Sequence, residues 1–517
     1  MANTLFSAIK ETDNATVTTN GMAAFKSTLS KVLDLFSKGH SYRKNANGVR
    51  TLVREAYLED KLTTLRCLFY LRDIRGNGGQ GERAVFRAGI REIAELDTKC
   101  FINSNIISHI PTYGRWDDLF TLFGVSDALD KQIIDFVGEQ LKSDISAYMK
   151  DKENSTISIL AKWLPSCNTS SRKTRAYAKK IYTAMELTEK QYRKTLSKLR
   201  KQIGIIETYL TNKDYSFDYS EVPSNAGMKY RKCFYNKDGE RYQKYVDEVT
   251  KNIEEGVTNR GAAKVNVKTL YPYEIVDKFF SVINSFRPSA TEEQQLDNMW
   301  RSLPDYFGEA GQKNWIAVID TSGSMMWGGS PKPIDVAISL GMYVAERNKG
   351  IFKNKFITFE SNPHLIEFDD KWKIRKKIQH IASADWGGST DLLSVFKLVL
   401  NAAKQHNLPV SEMPEAIVII SDMQFNGCVH GGCDATAYQH IETMYRAAGY
   451  PIPKLVFWDA SQNDYGNSPV TFNEHGVMLV GGCKPGMFEQ ILSGKTPIDF
   501  MLKILNGERY SVISLAE

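Results

Sequence analysis

The sequence predicts a multidomain chain: an all-α N-terminal region over residues 1–305, then an α/β doubly wound domain over residues 306–517. Three observations carry that prediction. The C-terminal residues alternate short apolar runs of strand length with amphipathic stretches of helix length, the pattern of a parallel sheet covered on both faces. The N-terminal residues show helical periodicity with no such alternation. Between Gln294 and Gln312, Arg301-Ser302-Leu303-Pro304 and Gly308-Glu309-Ala310-Gly311 break the helical pattern.

In the first part, helices are predicted over Met22–Lys38, Leu62–Arg75, Arg83–Leu96, Gln132–Met149 and Glu189–Tyr209. They share no strict period, so no tandem repeat is evident, yet helix–loop–helix units of this length suit an irregular α-solenoid. Gly76-Asn77-Gly78-Gly79-Gln80-Gly81 matches G-x-G-x-x-G in form. The dinucleotide motif needs a strand before it, and Leu65–Arg72 has helical periodicity instead. No Lys-Ser/Thr follows Gly81, so the segment reads as a mobile loop between helices. Arg72, Arg75 and Arg83 flank it and keep a phosphate contact open as the minor reading.

In the second part, strands are predicted over Asn314–Asp320, Phe356–Ser361, Ala416–Asp422, Lys454–Asp459 and Gly476–Gly482. Helices are predicted over Ile334–Asn348, Trp372–Ala382, Leu392–Gln405, Ala437–Ala448 and Met487–Leu492. A doubly wound domain takes its ligands at the carboxyl ends of its strands. Asp320-Thr321-Ser322-Gly323-Ser324 lies at such an end. One carboxylate and two hydroxyls at alternate positions are what a divalent cation needs from a single loop, and Gly323 permits the turn.

A Ser-rich turn capping a helix accounts for this loop too. It does not account for two further loops, Trp386-Gly387-Gly388-Ser389-Thr390-Asp391 and Ile417-Val418-Ile419-Ile420-Ser421-Asp422. Together the three resemble the metal-ion-dependent adhesion site of the von Willebrand factor A domain. That resemblance implies Asp320, Ser322, Ser324, Thr390 and Asp422 as ligands. Two carboxylates and three hydroxyls are hard oxygens, suited to Mg²⁺ or Mn²⁺ and not to zinc.

The chain of 517 residues is 42% hydrophobic and 24% charged, an ordinary globular composition with room for more than one core. No apolar run approaches the length of a membrane-spanning helix, and the first residues lack the pattern of a secretory signal. Seven scattered cysteines fit reduced thiols. The expectation is a cytoplasmic protein with no membrane partner, in the host cytoplasm or a virion if phage-encoded.

Charge is distributed unevenly. Lys162 to Lys251 holds 20 Lys/Arg against 10 Asp/Glu, whereas the whole chain has 66 against 60. The candidate RNA-binding residues fall in three clusters within this window. They are Arg172, Lys173, Arg175, Lys179 and Lys180; then Arg193, Lys194, Lys198, Arg200 and Lys201; then Lys229, Arg231 and Lys232. Cations at helical spacing with tyrosines among them suit phosphate neutralisation and base stacking. A solvated helical face produces the same pattern.

A helical-repeat region joined to a von Willebrand factor A domain resembles the Ro autoantigen architecture of TROVE-type RNA-binding proteins, whose helical repeats are HEAT-like. A closer likeness is to a TROVE-like group found in bacteria, phages and some eukaryotes. It is carried by Phe69-Tyr70-Leu71-Arg72-Asp73-Ile74-Arg75-Gly76 and Pro111-Thr112-Tyr113-Gly114-Arg115-Trp116-Asp117-Asp118-Leu119. Ala161-Lys162-Trp163-Leu164-Pro165 and Ser421-Asp422-Met423-Gln424-Phe425 also carry it. The resemblance implies a ribonucleoprotein scaffold that takes small or single-stranded RNA, with an acidic protein ligand at the metal. The rival reading is a metal-dependent protein–protein adaptor or a phage assembly component.

No catalytic activity is expected. No histidine shares a loop with Ser322 or Ser324 to act as base. Cys428-Val429-His430-Gly431-Gly432-Cys433 groups soft ligands, but its spacing follows no strong zinc template.

Overall fold

The computed structural model describes residues 13–76, 78–152, 155–280, 288–307, 314–327, 329–359, 362–383, 391–426, 437–463, 466–491 and 494–516. Helices dominate up to Arg301. The longer ones are Lys31–Lys38, Ala46–Glu59, Lys61–Arg72, Arg83–Leu96, Asp127–Lys150, Arg172–Ala184, Glu189–Gln202, Ser224–Lys237, Gly239–Glu254, Pro272–Phe280 and Ala290–Arg301. Their starts follow local chemistry. Asp60, Ser126 and Ser171 each accept an amide three residues on, and Thr188/Gln191 and Ser289/Glu292 form reciprocal capping boxes.

Two predicted helices need correction. Met22–Lys38 begins as a strand: β1 (Ala15–Val17) and β2 (Ala23–Phe25) pair antiparallel, and the helix starts only at Lys31, with Ser30 as its cap. Apolar Met22-Ala23-Ala24-Phe25 has no period that separates helix from strand. Phe25 is held extended by exchanging backbone hydrogen bonds with Ser468, far along the chain. Glu189–Tyr209 ends early at Gln202, because Gly204 takes a left-handed conformation (φ +67) and a short helix, Ile206–Thr211, restarts beyond it.

The C-terminal part is built on one sheet of β3 (Trp315–Asp320), β4 (Lys355–Phe359), β5 (Leu365–Glu367), β6 (Ala416–Ser421), β7 (Lys454–Asp459) and β8 (Val477–Gly481). Its order is β5-β4-β3-β6-β7-β8, parallel throughout except for β5, an antiparallel edge strand that the sequence pattern did not reveal. Every residue of β3 and β6 is buried. Such strands lack apolar–polar alternation because both faces are covered.

Helix Pro333–Arg347 packs on β3, β4 and β6. Gly341 permits this approach: a Cβ there would lie 2.2 Å from Ile319 Cδ1. Connections leave β3 toward β4 and β5 on one side and toward β6, β7 and β8 on the other. The carboxyl ends of β3 and β6 therefore flank the switch point where such sheets form a crevice.

The helical part and the sheet are joined by one continuous apolar core that draws on both. Helix Lys31–Lys38 covers β8, and helix Pro497–Leu505 returns to pack on Lys61–Arg72. The glycine-rich loop is pinned at this junction, contrary to the expectation of a mobile connector. Lys484 Nζ donates to the Gly76 carbonyl (2.7 Å), and Gly79 sits so close to Asp73 that a Cβ would lie 2.4 Å from its backbone oxygen. Arg72 is 1% exposed and paired with Asp118 at 2.8 Å, so its charge serves the fold and does not face a phosphate.

Candidate metal centre and basic groove

β3 and β6 are adjacent and parallel, so Asp320 at the end of one lies beside Ser421 and Asp422 at the end of the other. Both carboxylates are buried: Asp320 is 0% and Asp422 2% exposed. Asp320 accepts from the Ser322 amide (2.9 Å) and from Ser421 Oγ (2.5 Å). Ser322 Oγ and Ser324 Oγ are 3.1 Å apart. Asp422 Oδ1 accepts from the Gln424 amide (3.2 Å), while its buried Oδ2 has no hydrogen-bond partner. Asp320, Ser322, Ser324 and Asp422 are thus brought to one place. Thr390, the fifth implied ligand, lies outside the described residues, as do Cys428, His430 and Cys433.

The two carboxylates are held above the ordinary carboxylate range. Burial, followed by the Asp422 charge, pushes the Asp320 carboxyl up to about 7. Burial also raises Asp422, helped by Asp459 and opposed by the Ser324 hydroxyl. Two buried carboxylates side by side disfavour each other's charge, and a positive ion between them relieves both costs. The orphaned Asp422 Oδ2 and the all-oxygen donor set fit a hard divalent cation.

Two contributors escaped the sequence reading. Ser421 orients Asp320 by its hydroxyl, and Asp459 ends β7 next to Asp422. Asp459 closes a predicted strand just as Asp320 does, so its position was available as a signal. Its Oδ2 lies 3.7 Å from Nε2 of His40, whose imidazole burial holds down near 3 and hence uncharged. The loop after Asp422 is gripped by the N-terminal hairpin. Thr18 Oγ1 donates to the Phe425 carbonyl (2.6 Å), the Thr19 amide to Gln424 Oε1 (2.8 Å), and Asn20 Nδ2 to the Gln424 carbonyl (2.6 Å).

The basic window folds into the walls of two neighbouring grooves of about 1060 and 870 Å³, which share Ser166 and Arg200. Helix Glu189–Gln202 turns Tyr192, Leu196 and Leu199 inward. Lys190, Arg193, Lys194, Lys198 and Lys201 are exposed and line the smaller groove with Tyr209. Lys190, Lys194, Lys198 and Lys201 follow i, i+4, i+8, i+11, a stripe about 16 Å long on one face. The larger groove carries Lys162 and Lys173 with the rings of Trp163 and Tyr177.

The thirteen cations singled out in the sequence divide by role. Arg193, Lys194, Lys198, Lys201 and Lys173 line the grooves. Arg200 lines both but is structural, donating to the carbonyls of Ala161 (2.8 Å) and Leu164 (2.9 Å) and to Ser166 Oγ. Arg231 is 11% exposed, facing Glu292 and the Met228 carbonyl. Lys180 pairs with Asp130, and Arg175 caps the carbonyls of Thr169 and Ser170. Arg172, Lys179, Lys229 and Lys232 are exposed without lining either groove. Helical spacing alone does not tell a cation that faces a groove from one that caps a neighbour's backbone. Lys162 and Lys190 were not singled out as individual residues, although both lie in the basic window.

The chain belongs to the family defined by the Domain of unknown function (DUF2828), whose model matches residues 18–95 and 125–312. Residues 314–502 match a second one, Domain of unknown function (DUF7788). Among individual proteins, the chain is 29% identical over 525 residues to Uncharacterized protein L728 of Acanthamoeba polyphaga mimivirus, covering 95% of this chain and 87% of that one. Among solved structures it is similar to the Deinococcus radiodurans RO (RSR) protein at 12% identity and a TM-score of 0.32, covering 92% and 93% of the two chains.

Proposed function

We propose that this protein is a non-enzymatic, Ro-like RNA-binding scaffold with a divalent-cation site in a von Willebrand factor A-type domain. The observation that carries the RNA reading is the groove along helix Glu189–Gln202, where five exposed cations share one concavity with Tyr209. A cationic groove with aromatic faces suits the backbone and bases of a single strand, independent of sequence. The test is titration of a labelled single-stranded RNA over a salt series. Tight binding with log K falling steeply against log salt is expected; salt-insensitive or absent binding would remove the reading.

Asp320, Ser322, Ser324 and Asp422 would hold Mg²⁺ or Mn²⁺, with Thr390 implied by the family resemblance. A bound cation would supply the positive charge that offsets the two buried carboxylates, and Lewis acidity toward oxygen donors. Ser421 and the Ser322 amide hold Asp320 in place for it. The metal-dependent adaptor remains the second reading, favoured by the unpartnered Asp422 Oδ2.

The sign of the pH dependence follows from Asp320. Its folded-state value is raised from 3.8 to about 7, so the metal-free fold favours the proton and loses stability as pH rises through that interval. A cation takes the proton's place. The Mg²⁺-induced rise in Tm should therefore be small at acid pH and reach a few degrees above neutrality. Asp320→Asn should abolish it; a wild-type Tm indifferent to Mg²⁺ and Mn²⁺ at alkaline pH would sink the site.

A further inference from the structure

The larger groove, of about 1060 Å³, is lined by parts of helices Arg83–Leu96, Arg172–Ala184 and Glu189–Gln202 and by the segment Lys162–Ser166. Its charged lining is Arg87, Arg91, Lys162, Lys173 and Arg200, against the carboxylate of Asp117. The three arginines are committed to the fold. Arg87 pairs with Asp117 and Asp118 (2.6 Å each). Arg91 donates to the carbonyls of Thr121 (2.7 Å) and Phe123 (3.2 Å), and Arg200 to those of Ala161 and Leu164. Lys162 and Lys173 differ. Among the described residues neither ammonium pairs with a carboxylate, and each lies over a ring that lines the same groove. Lys162 Nζ is 5.6 Å from the centre of the Trp163 ring, and Lys173 Nζ is 5.7 Å from that of Tyr177.

We propose that this groove is a base-stacking compartment for an unpaired stretch of RNA. Two bases would lie on Trp163 and Tyr177 while Lys162 and Lys173 pass from the rings to the phosphates. This rests on the RNA reading above and gives the two grooves different work. The lysine stripe of the smaller groove takes phosphates, and the larger groove takes bases.

Three features favour this occupant. An ammonium over a half-exposed ring is a weak cover, and a base stacks on the same face more strongly. The exchange also leaves each ammonium beside the phosphates that the bases bring with them. Ser166 and Arg200 line both grooves, so one strand can run from the lysine stripe to the rings. Arg115, with Cζ 4.6 Å from the centre of the Trp163 ring, adds a further positive group to that end. An RNA duplex is the poorer fit, because its base faces are already stacked on one another. An acidic peptide would match the two ammonium groups but carries no obligatory π-face for the rings.

The test compares wild type with Trp163→Leu/Tyr177→Leu on a labelled single-stranded RNA, an abasic oligomer of equal length and a duplex. The leucine variant should bind the single strand about 30-fold or more weakly. Its salt slope should be unchanged, because no phosphate contact is removed. The abasic oligomer should bind both proteins alike, and Trp163→Phe/Tyr177→Phe should recover most of the affinity. Lys162→Gln/Lys173→Gln should instead flatten the slope by about 1.4. The single strand, and not the abasic oligomer, should quench wild-type tryptophan emission, and less so in Trp163→Phe. That readout decides the matter if the leucine variant fails to fold. Equal quenching in wild type and Trp163→Phe would overturn the compartment, as would equal RNA affinity in wild type and the leucine variant. So would duplex binding as tight as single-strand binding, or polyglutamate weakened by the leucine pair as much as RNA. In each of these cases a steep salt slope in wild type leaves the RNA reading standing. Absent or salt-insensitive RNA binding by wild type would overturn both.

Discussion

Glutamine at Lys190, Arg193, Lys194, Lys198 and Lys201 together is expected to weaken single-stranded RNA binding about 100-fold or more at physiological salt. Each phosphate neutralised on a single strand contributes about 0.7 to the slope of log K against log salt. Loss of five contacts should therefore flatten the slope by about 3.5. The helix should survive, because glutamine has nearly the helix propensity of lysine and the inward face of Tyr192, Leu196 and Leu199 is untouched.

Two controls separate this from a general charge effect. Neutralising Arg172, Lys179 and Lys229, which line neither groove, should change affinity much less. Arg200→Gln should instead lower stability, since its guanidinium satisfies the carbonyls of Ala161 and Leu164. Full affinity in the five-site variant would show that the groove is only a solvated face.

Asp73→Ala is expected to cost about 3 kcal/mol of stability, near the lower bound for breaking a buried pair because Arg509 is partly exposed. Asp73 is 0% exposed and gathers donors from both parts of the chain. It accepts from the amides of Arg75 and Gly76 (2.9 Å each), from Arg509 Nε (2.9 Å) and Nη2 (3.0 Å), and from the Tyr510 hydroxyl (3.2 Å). Removing the acceptor strands several donors at once, whereas removing one donor leaves the carboxylate with others.

Arg509→Ala should therefore cost clearly less than Asp73→Ala. Urea unfolding monitored by tryptophan emission would give both values, and equal costs would contradict this account. Because the core is continuous across the two parts, one cooperative transition is expected for the described fold.

The turn Asp320–Ser324 and the strand end at Asp422 were legible in the sequence because their geometry is local. A D-x-S-x-S turn behind a buried strand places its own oxygens, and strand ends are readable from apolar runs such as Trp315–Ile319 and Ile417–Ile420. The basic window was legible as composition, but its division into groove cations and structural cations was not. Arg200 and Arg231 sit at the same helical spacing as their neighbours, and only the position of the Ala161 and Met228 carbonyls shows what they do.

The sequence by itself determined the order of the two parts, the buried parallel strands and the residues that meet at the switch point. Those follow from hydrophobic period, turn chemistry and donor type, all of which act over a few residues. Tertiary structure alone decided that Ala23–Phe25 is strand and that the glycine-rich loop is clamped by Lys484. It also decided that Thr18, Thr19 and Asn20 hold the loop behind Asp422. The Phe25–Ser468, Lys484–Gly76 and hairpin–loop contacts join residues more than 400 positions apart, and no local periodicity encodes a partner at that distance.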